Sequence, residues 1–190
     1  MNKTASRPSA YFDELYARDA DPWRFASSTY EHKKYTATMD ALPAVRFVNA
    51  FEVGCSIGVL TRLLAARCDA LLAVDVAEAA LSQARARCAD CAHVNIRRLR
   101  IPTEWPKQRF DLILLSEVLY YLSRVDIART ARCARQSIVP GGAMLLVHYI
   151  LPTDYPCSGD EASGCFINEC GAAVVMQRRS AAYRLDLLRA

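Results

Sequence analysis

The sequence predicts an α/β fold in a single domain: one open, mostly parallel seven-stranded sheet with a pair of helices in front of it. Three observations predict it. Apolar runs short enough for strands alternate with helical patterns through the middle of the chain, which is the signature of βαβ units. One of those runs, Phe110-Asp-Leu-Ile-Leu-Leu-Ser116, has an unbroken apolar centre, as a strand covered on both faces requires. Asn49-Ala-Phe-Glu-Val-Gly-Cys-Ser-Ile-Gly58 ends a strand on Glu52, turns on glycine and passes at once into a helical pattern.

The elements follow in chain order. Tyr11-Phe-Asp-Glu-Leu-Tyr16 has the spacing of a short amphipathic helix, which Asp21-Pro22-Trp23 breaks because proline restricts the residue before it. A second helix runs from Ser28 to about Leu42, with Ser28 as N-cap and Glu31 placed to close a capping box. Trp23, Tyr30 and Tyr35 are amphipathic rings suited to a pocket lid. Residues 1–42 are thus expected to form a helical lid and residues 43–190 the core. The first strand ends at Glu52, where open α/β sheets gather their ligands. Gly54 supplies the turn, and Gly58 allows close approach of a ligand or of the next helix. Ala70-Leu-Leu-Ala-Val-Asp75 is the second strand, its terminal acid standing where nucleoside-binding folds hold ribose hydroxyls.

A crossover helix follows from Ala77, with Glu78 in its first turn, and His93–Arg100 alternates as a third strand. Pro102-Thr-Glu-Trp-Pro106 is a rigid loop, and Phe110–Glu117 is the fourth strand, leading to Tyr120 and Tyr121. Asp111 lies at the end of that strand away from the ligand crevice and reads as structural. A helix from Asp126 to Val139 stops at Pro140-Gly141-Gly142, and Ala143-Met-Leu-Leu-Val-His148 is the fifth strand. After a loop and a short helix to about Cys170, residues 173–179 and 183–189 form an antiparallel pair. No appended binding domain is expected.

Composition narrows the classes. Of the 190 residues, 53% are hydrophobic and 23% charged, values of a globular chain, and the net charge is +4. Arg97, Arg98 and Arg100 cluster without interleaved aromatics, a poor nucleic-acid footprint. Cys88-Ala-Asp-Cys91 is half of a zinc site with no second half, so no metal is expected. The N-terminus lacks the apolar core of a signal peptide, and no apolar run reaches membrane-spanning length. The expectation is a reduced, cytoplasmic monomer that binds neither nucleic acid nor membrane.

Glu52-x-Gly54-x-x-x-Gly58 resembles the first motif of class I S-adenosylmethionine (SAM) methyltransferases, with Ser56 where a middle glycine is common. The spacing differs from the G-x-G-x-x-G of a dinucleotide site, and a carboxylate before the turn suits an ammonium better than a pyrophosphate. Phe110-Asp-Leu-Ile and Ser116-Glu117 resemble the fourth motif of the same class. Asp21-Pro-Trp-Arg-Phe25, then Ser28-Thr-Tyr-Glu-x-x-Lys-Tyr35, resembles the nodulation protein S branch, over about Tyr11 to Gly159. Members of that branch N-methylate the free amine of a partly deacetylated chito-oligosaccharide, or are uncharacterised relatives.

The resemblance implies a Rossmann-like sheet of order 3-2-1-4-5-7-6 and an N-methyltransferase acting on a small-molecule or oligosaccharide amine. It implies SAM as cofactor and S-adenosylhomocysteine as product. Contacts to the cofactor carry over to Glu52, Gly54, Cys55, Ser56, Gly58, Asp75, Val76, Ile101 and Ser116, and from the lid to Trp23, Tyr30 and Lys34. An acid that often follows the third strand and binds adenine is replaced by Arg100, which has no acceptor to offer, leaving backbone and apolar contact for the base. If the acceptor is an amine, Glu117 or His148, level with each other at the crevice, is the candidate proton acceptor, and Tyr121 a candidate to orient the nitrogen. The alternative is a non-catalytic SAM-binding regulatory or assembly protein.

Overall fold

The computed structural model describes residues 5–190, so residues 1–4 of the expected lid lie outside the described residues. The lid contains α1 (Ser9–Arg18) and α2 (Thr29–Ala41). The core then runs β1 (Ala50–Val53), α3 (Val59–Ala65), β2 (Leu71–Asp75), α4 (Glu78–Arg87), β3 (Val94–Arg98) and β4 (Phe110–Ser116). A 3₁₀ turn at Leu119–Tyr121 leads to α5 (Arg124–Ser137), β5 (Ile138–Tyr149), α6 (Gly159–Cys170), β6 (Ala173–Arg179) and β7 (Tyr183–Arg189). The seven strands form one sheet of order β3-β2-β1-β4-β5-β7-β6. Pairing is parallel from β3 to β5, and β7 is antiparallel to both β5 and β6.

The central strands β1, β2 and β4 are buried on both faces, whereas the edge strands β3 and β6 are largely exposed. Phe51, Val53, Ile113 and Leu115 point into a cluster completed by Ile127, Ala131 and Phe166 from α5 and α6. Ala50, Leu112 and Leu114 point the other way, onto Leu60 and Leu64 of α3 and Tyr35 of α2. Alternate residues of β1 and β4 therefore serve opposite cores, which is why the centre of β4, from Leu112 to Leu115, is apolar throughout. Among the described residues no helix is long and apolar enough to cross a membrane.

Two boundaries differ from the sequence reading. The helix expected to run to Val139 ends at Ser137, because Ile138 leaves it to pair with Phe110. The Pro140–Gly142 segment is an irregularity inside β5, and the register resumes at Leu112 and Ala143. At the start of α2, Ser28 accepts the Glu31 amide at 3.4 Å, but the Glu31 carboxylate does not return the bond. The full capping box expected there is half made. The carboxylate turns instead toward Lys34, one turn along the same helix.

Candidate functional site

The carboxyl ends of β1, β2 and β4 open into a cavity of about 620 Å³, roofed by the lid. Its lining includes Glu52, Gly54, Cys55, Ser56, Asp75, Val76, Ile101, Ser116, Glu117 and Tyr121 from the core. Trp23, Tyr30 and Lys34 line it from the lid. These thirteen positions are the expected site residues that line the cavity. Two others, Gly58 and His148, are not in the lining.

The turn after β1 follows from its glycines and from Asp75. Gly54 has φ +79°, and a Cβ there would sit 3.3 Å from the Ser116 carbonyl oxygen, so the turn is drawn tight against the end of β4. Asp75 Oδ2 accepts the Ser56 amide at 3.0 Å, while Oδ1 accepts the amides of Val76 at 2.7 Å and Ala77 at 3.0 Å. Burial raises the Asp75 carboxyl above the usual range, and the amides of Ala77, Ser56 and Val76 oppose that rise. The side chain expected to meet a ribose thus also fastens the turn to β2. Gly58 belongs to packing rather than to the cavity: at φ +80°, a Cβ would lie 2.8 Å from the Cα of Ala84 on α4. The cofactor contact expected of Gly58 is therefore corrected to a close helix approach.

Glu52 is 1% exposed, and its Oε2 has no hydrogen-bond partner in the protein. Burial pushes its carboxyl up to about 7, against the opposing effect of the Thr61 hydroxyl. A buried carboxylate oxygen without a donor is costly unless a ligand supplies one. Beyond Asp75, the cavity wall is Val76, Leu99, Ile101 and Pro102, an apolar slot beside Arg100.

The opposite end is built by side chains distant in sequence. Lys34 Nζ donates to Glu117 Oε1 at 2.5 Å and to Glu31 Oε1 at 3.0 Å. Glu117 Oε2 accepts the Tyr120 hydroxyl at 2.7 Å and the Tyr149 amide at 2.8 Å. Burial alone would lower the Lys34 ammonium, but Glu117 and then Glu31 outweigh it and hold it above its ordinary value. Glu117 sits at φ +55°, a left-handed conformation that turns the chain from β4 into the Tyr120–Tyr121 segment. Tyr155 stacks on Tyr120 at 5.2 Å and tilts against Tyr121 at 4.5 Å, and Phe12 meets the Tyr121 ring edge-on at 4.9 Å.

The lid is locked to the core through the same region. The hydroxyls of Tyr16 and Ser56 are hydrogen-bonded, and Trp23 packs between the rings of Tyr16 and Phe25. Arg7 donates to the Asp154 carbonyl, while Ser6 binds Asp126 and accepts the Ser123 amide.

His148 requires the second correction. It is fully buried, its Nε2 accepts the Leu119 amide at 3.2 Å, and its Nδ1 meets the Ser163 hydroxyl at 3.2 Å. Its register level with Glu117 was right in outline, but the ring turns away from the cavity to hold the 3₁₀ turn and α6. Sequence reasoning missed Glu31, Tyr16, Tyr149 and Tyr155 as lining residues. Glu31 had a signal, its helical spacing from Lys34, but read as a cap. The three tyrosines had none beyond their number.

The sequence model of the family described as Nodulation protein S (NodS) matches residues 11–145. Nodulation protein S of Sinorhizobium fredii is 36% identical over 112 residues, covering 58% of this chain and 52% of that protein. The chain spans about half the length of the curated relatives it matches. A crystal structure of a putative methyltransferase from Pseudomonas syringae is 32% identical with a TM-score of 0.76, covering 86% of this chain and 100% of that one. The N-methyltransferase NodS from Bradyrhizobium japonicum WM9, in complex with S-adenosyl-L-homocysteine, shares the fold at a TM-score of 0.80 and 22% identity. That match covers 96% of this chain and 98% of the other.

Proposed function

The chain belongs to the nodulation protein S family, and from that premise we propose that it binds SAM and transfers its methyl group to the nitrogen of an amine acceptor. One observation carries the cofactor assignment: the turn between Glu52 and Asp75 lines a cavity in which the buried Glu52 carboxylate oxygen has no charged partner among the described residues. An amino-acid ammonium satisfies that oxygen, the remaining acceptor capacity of Asp75 Oδ2 suits a ribose hydroxyl, and the slot of Val76, Leu99 and Ile101 suits a purine. The residues present fit the group.

When bound, SAM supplies an electrophilic methyl carbon on a sulfonium. The work of this chain is then to align the acceptor, exclude water and manage the acceptor's proton. The described part of the lid, residues 5–42, contributes Tyr16, Trp23, Tyr30 and Lys34 to the cavity wall. Glu117, with both oxygens engaged, stands beside the proposed reacting centre and fixes Tyr120. The acceptor in this reading is a small-molecule or oligosaccharide amine, and the enzyme is a cytoplasmic monomer.

Calorimetry with SAM, S-adenosylhomocysteine and NAD tests the cofactor: the first two bind and NAD does not. A methyl-transfer assay across amine, hydroxyl and glycan acceptors, read by product mass spectrometry, then tests the transfer. Product only on hydroxyl oxygen would overturn the amine assignment.

A further inference from the structure

The carboxylates lining the cavity differ in what is left over on them. Glu117 has both oxygens engaged, by Lys34, the Tyr120 hydroxyl and the Tyr149 amide. Asp126 is engaged by Ser6 and Arg129, and Asp75 by three backbone amides. Only Glu31 and Glu52, among the described lining residues, present a buried carboxylate oxygen with no protein partner. Glu52, at the end of β1, belongs to the cofactor's amino group in the reading above. Glu31 stands on α2, 6% exposed, tied through Lys34 to Glu117.

The charges there do not balance. One ammonium, Lys34, faces two carboxylates in a space walled by Tyr30, Tyr35, Trp23 and Phe25. An uncompensated buried charge is costly, and a cationic ligand placed there would offset it. We infer that Glu31 is the residue that receives the acceptor ammonium and takes its proton, while Lys34 and Glu117 position it. This inference rests on the proposed methyl transfer and adds the group that the sequence reading sought in Glu117 and His148.

The step balances as follows. A protonated amine enters beside Glu31, and one N–H proton passes to its carboxylate, leaving a lone pair on nitrogen. That pair forms the new N–C bond as the C–S bond breaks and its electrons return to sulfur. The methylated amine leaves carrying the positive charge, and Glu31 returns its proton to solvent. The environment suits a base. Burial raises the Glu31 carboxyl above its ordinary value, opposed by Lys34 and supported by Glu117 and Asp21. The tyrosines facing it are Tyr30 and Tyr35 of α2.

The test needs no acceptor. Sinefungin is a SAM analogue that carries an amine-bearing carbon in place of the methylated sulfonium, which sets an ammonium where the transferring methyl stands. Its affinity relative to S-adenosylhomocysteine, measured by calorimetry, reads whether Glu31 faces that position. The intact chain is expected to prefer sinefungin by about tenfold or more, the scale of a hydrogen bond between charged groups. Glu31→Gln keeps the size and the Lys34 contact, and is expected to abolish that preference while S-adenosylhomocysteine affinity stays within about twofold. Glu31→Asp, which keeps the charge but retracts it, is expected to fall between the two.

An unchanged preference in Glu31→Gln overturns the inference, as does an equal loss of both ligands, which would place Glu31 on the cofactor's own amino group or in the fold. Failure of the intact chain to bind either ligand would instead remove the proposed function itself, and the inference with it.

Discussion

The two ends of the cavity hold their carboxylates by different means. At the β1–β2 end, Asp75 is gripped by the amides of Ser56, Val76 and Ala77, donors that come with the backbone of one βαβ unit. At the lid end, Glu117 is gripped by Lys34, 83 positions away, and by Tyr120 and Tyr149. The first arrangement tolerates almost any side chain around it, because the donors are main-chain groups. The second depends on one buried lysine. It follows that the Asp75 end is held locally, whereas the Glu117 arrangement needs α2 docked on the sheet.

Removing that lysine is the most damaging way to break the comparison. Lys34→Met leaves Glu31 and Glu117 buried without a counter-ion, their side chains 8% and 12% exposed. The expected loss of stability is about 3–5 kcal/mol, the usual scale for stranding one member of a buried pair. Denaturant unfolding measures it, and adding Glu31→Gln should restore part of the loss. A loss below about 1 kcal/mol would mean that these charges are hydrated through the cavity rather than paired.

The cofactor end has its own charge problem, visible through pH. Glu52 is fully buried, and its carboxyl rises from 4.5 to about 7 on folding. The native state therefore binds the proton more tightly than the unfolded chain. Its contribution to stability is full below about pH 4.5, falls as the pH rises toward 7, and is flat above that. The decline is about 3 kcal/mol at most. Glu52→Gln should remove it, so the two proteins' stabilities should converge at low pH and separate near pH 7. Parallel curves would show that Glu52 titrates normally.

Asp75→Ala should cost less: about 1.5–3 kcal/mol of S-adenosylhomocysteine affinity, the scale of hydrogen bonds to a charged group. Calorimetry reads it directly, and unchanged affinity would end the ribose assignment. The same substitution frees three backbone amides. Some loss of thermal stability without ligand should accompany it.

What was legible in the sequence follows the same division. Glu52, Gly54 and Asp75 could be placed because strand, turn and strand are contiguous and each local pattern implies the next. Ser116 and Glu117 could be placed because the apolar run before them is buried on both faces and stops there. Gly58 was legible as a close approach of either a ligand or the next helix, and Ala84 of α4 makes it the helix. Glu31 was misread because sequence spacing shows the neighbours along a helix and not the cavity on its far side. The α5–β5 boundary was missed for a similar reason: Ile138 leaves the helix to pair with Phe110, a partner outside its own segment.

His148→Gln should have the smallest effect on the cavity, and it sharpens the comparison most. His148 and Glu117 end neighbouring strands at the same level, so position alone does not separate them. Geometry does. The Leu119 amide donates to His148 Nε2, which makes Nε2 the acceptor and leaves the ring proton on Nδ1, facing the Ser163 hydroxyl. Protonating Nε2 would set two donors against each other in a fully buried place. Burial accordingly lowers the imidazole from 6.5 to about 4, although Glu117 and Asp186 push the other way. A folded-state value below the unfolded one means that stability is full above about pH 6.5 and is lost as the pH falls toward 4. Glutamine cannot titrate, so His148→Gln should flatten that acid limb. At neutral pH it should cost about 1–3 kcal/mol, through imperfect pairing of the Leu119 amide. Because the ring does not reach the cavity, S-adenosylhomocysteine affinity and the sinefungin preference should both stay within about twofold. A variant that keeps its stability but loses methyl transfer tenfold would return His148 to the reacting centre and take the proton from Glu31.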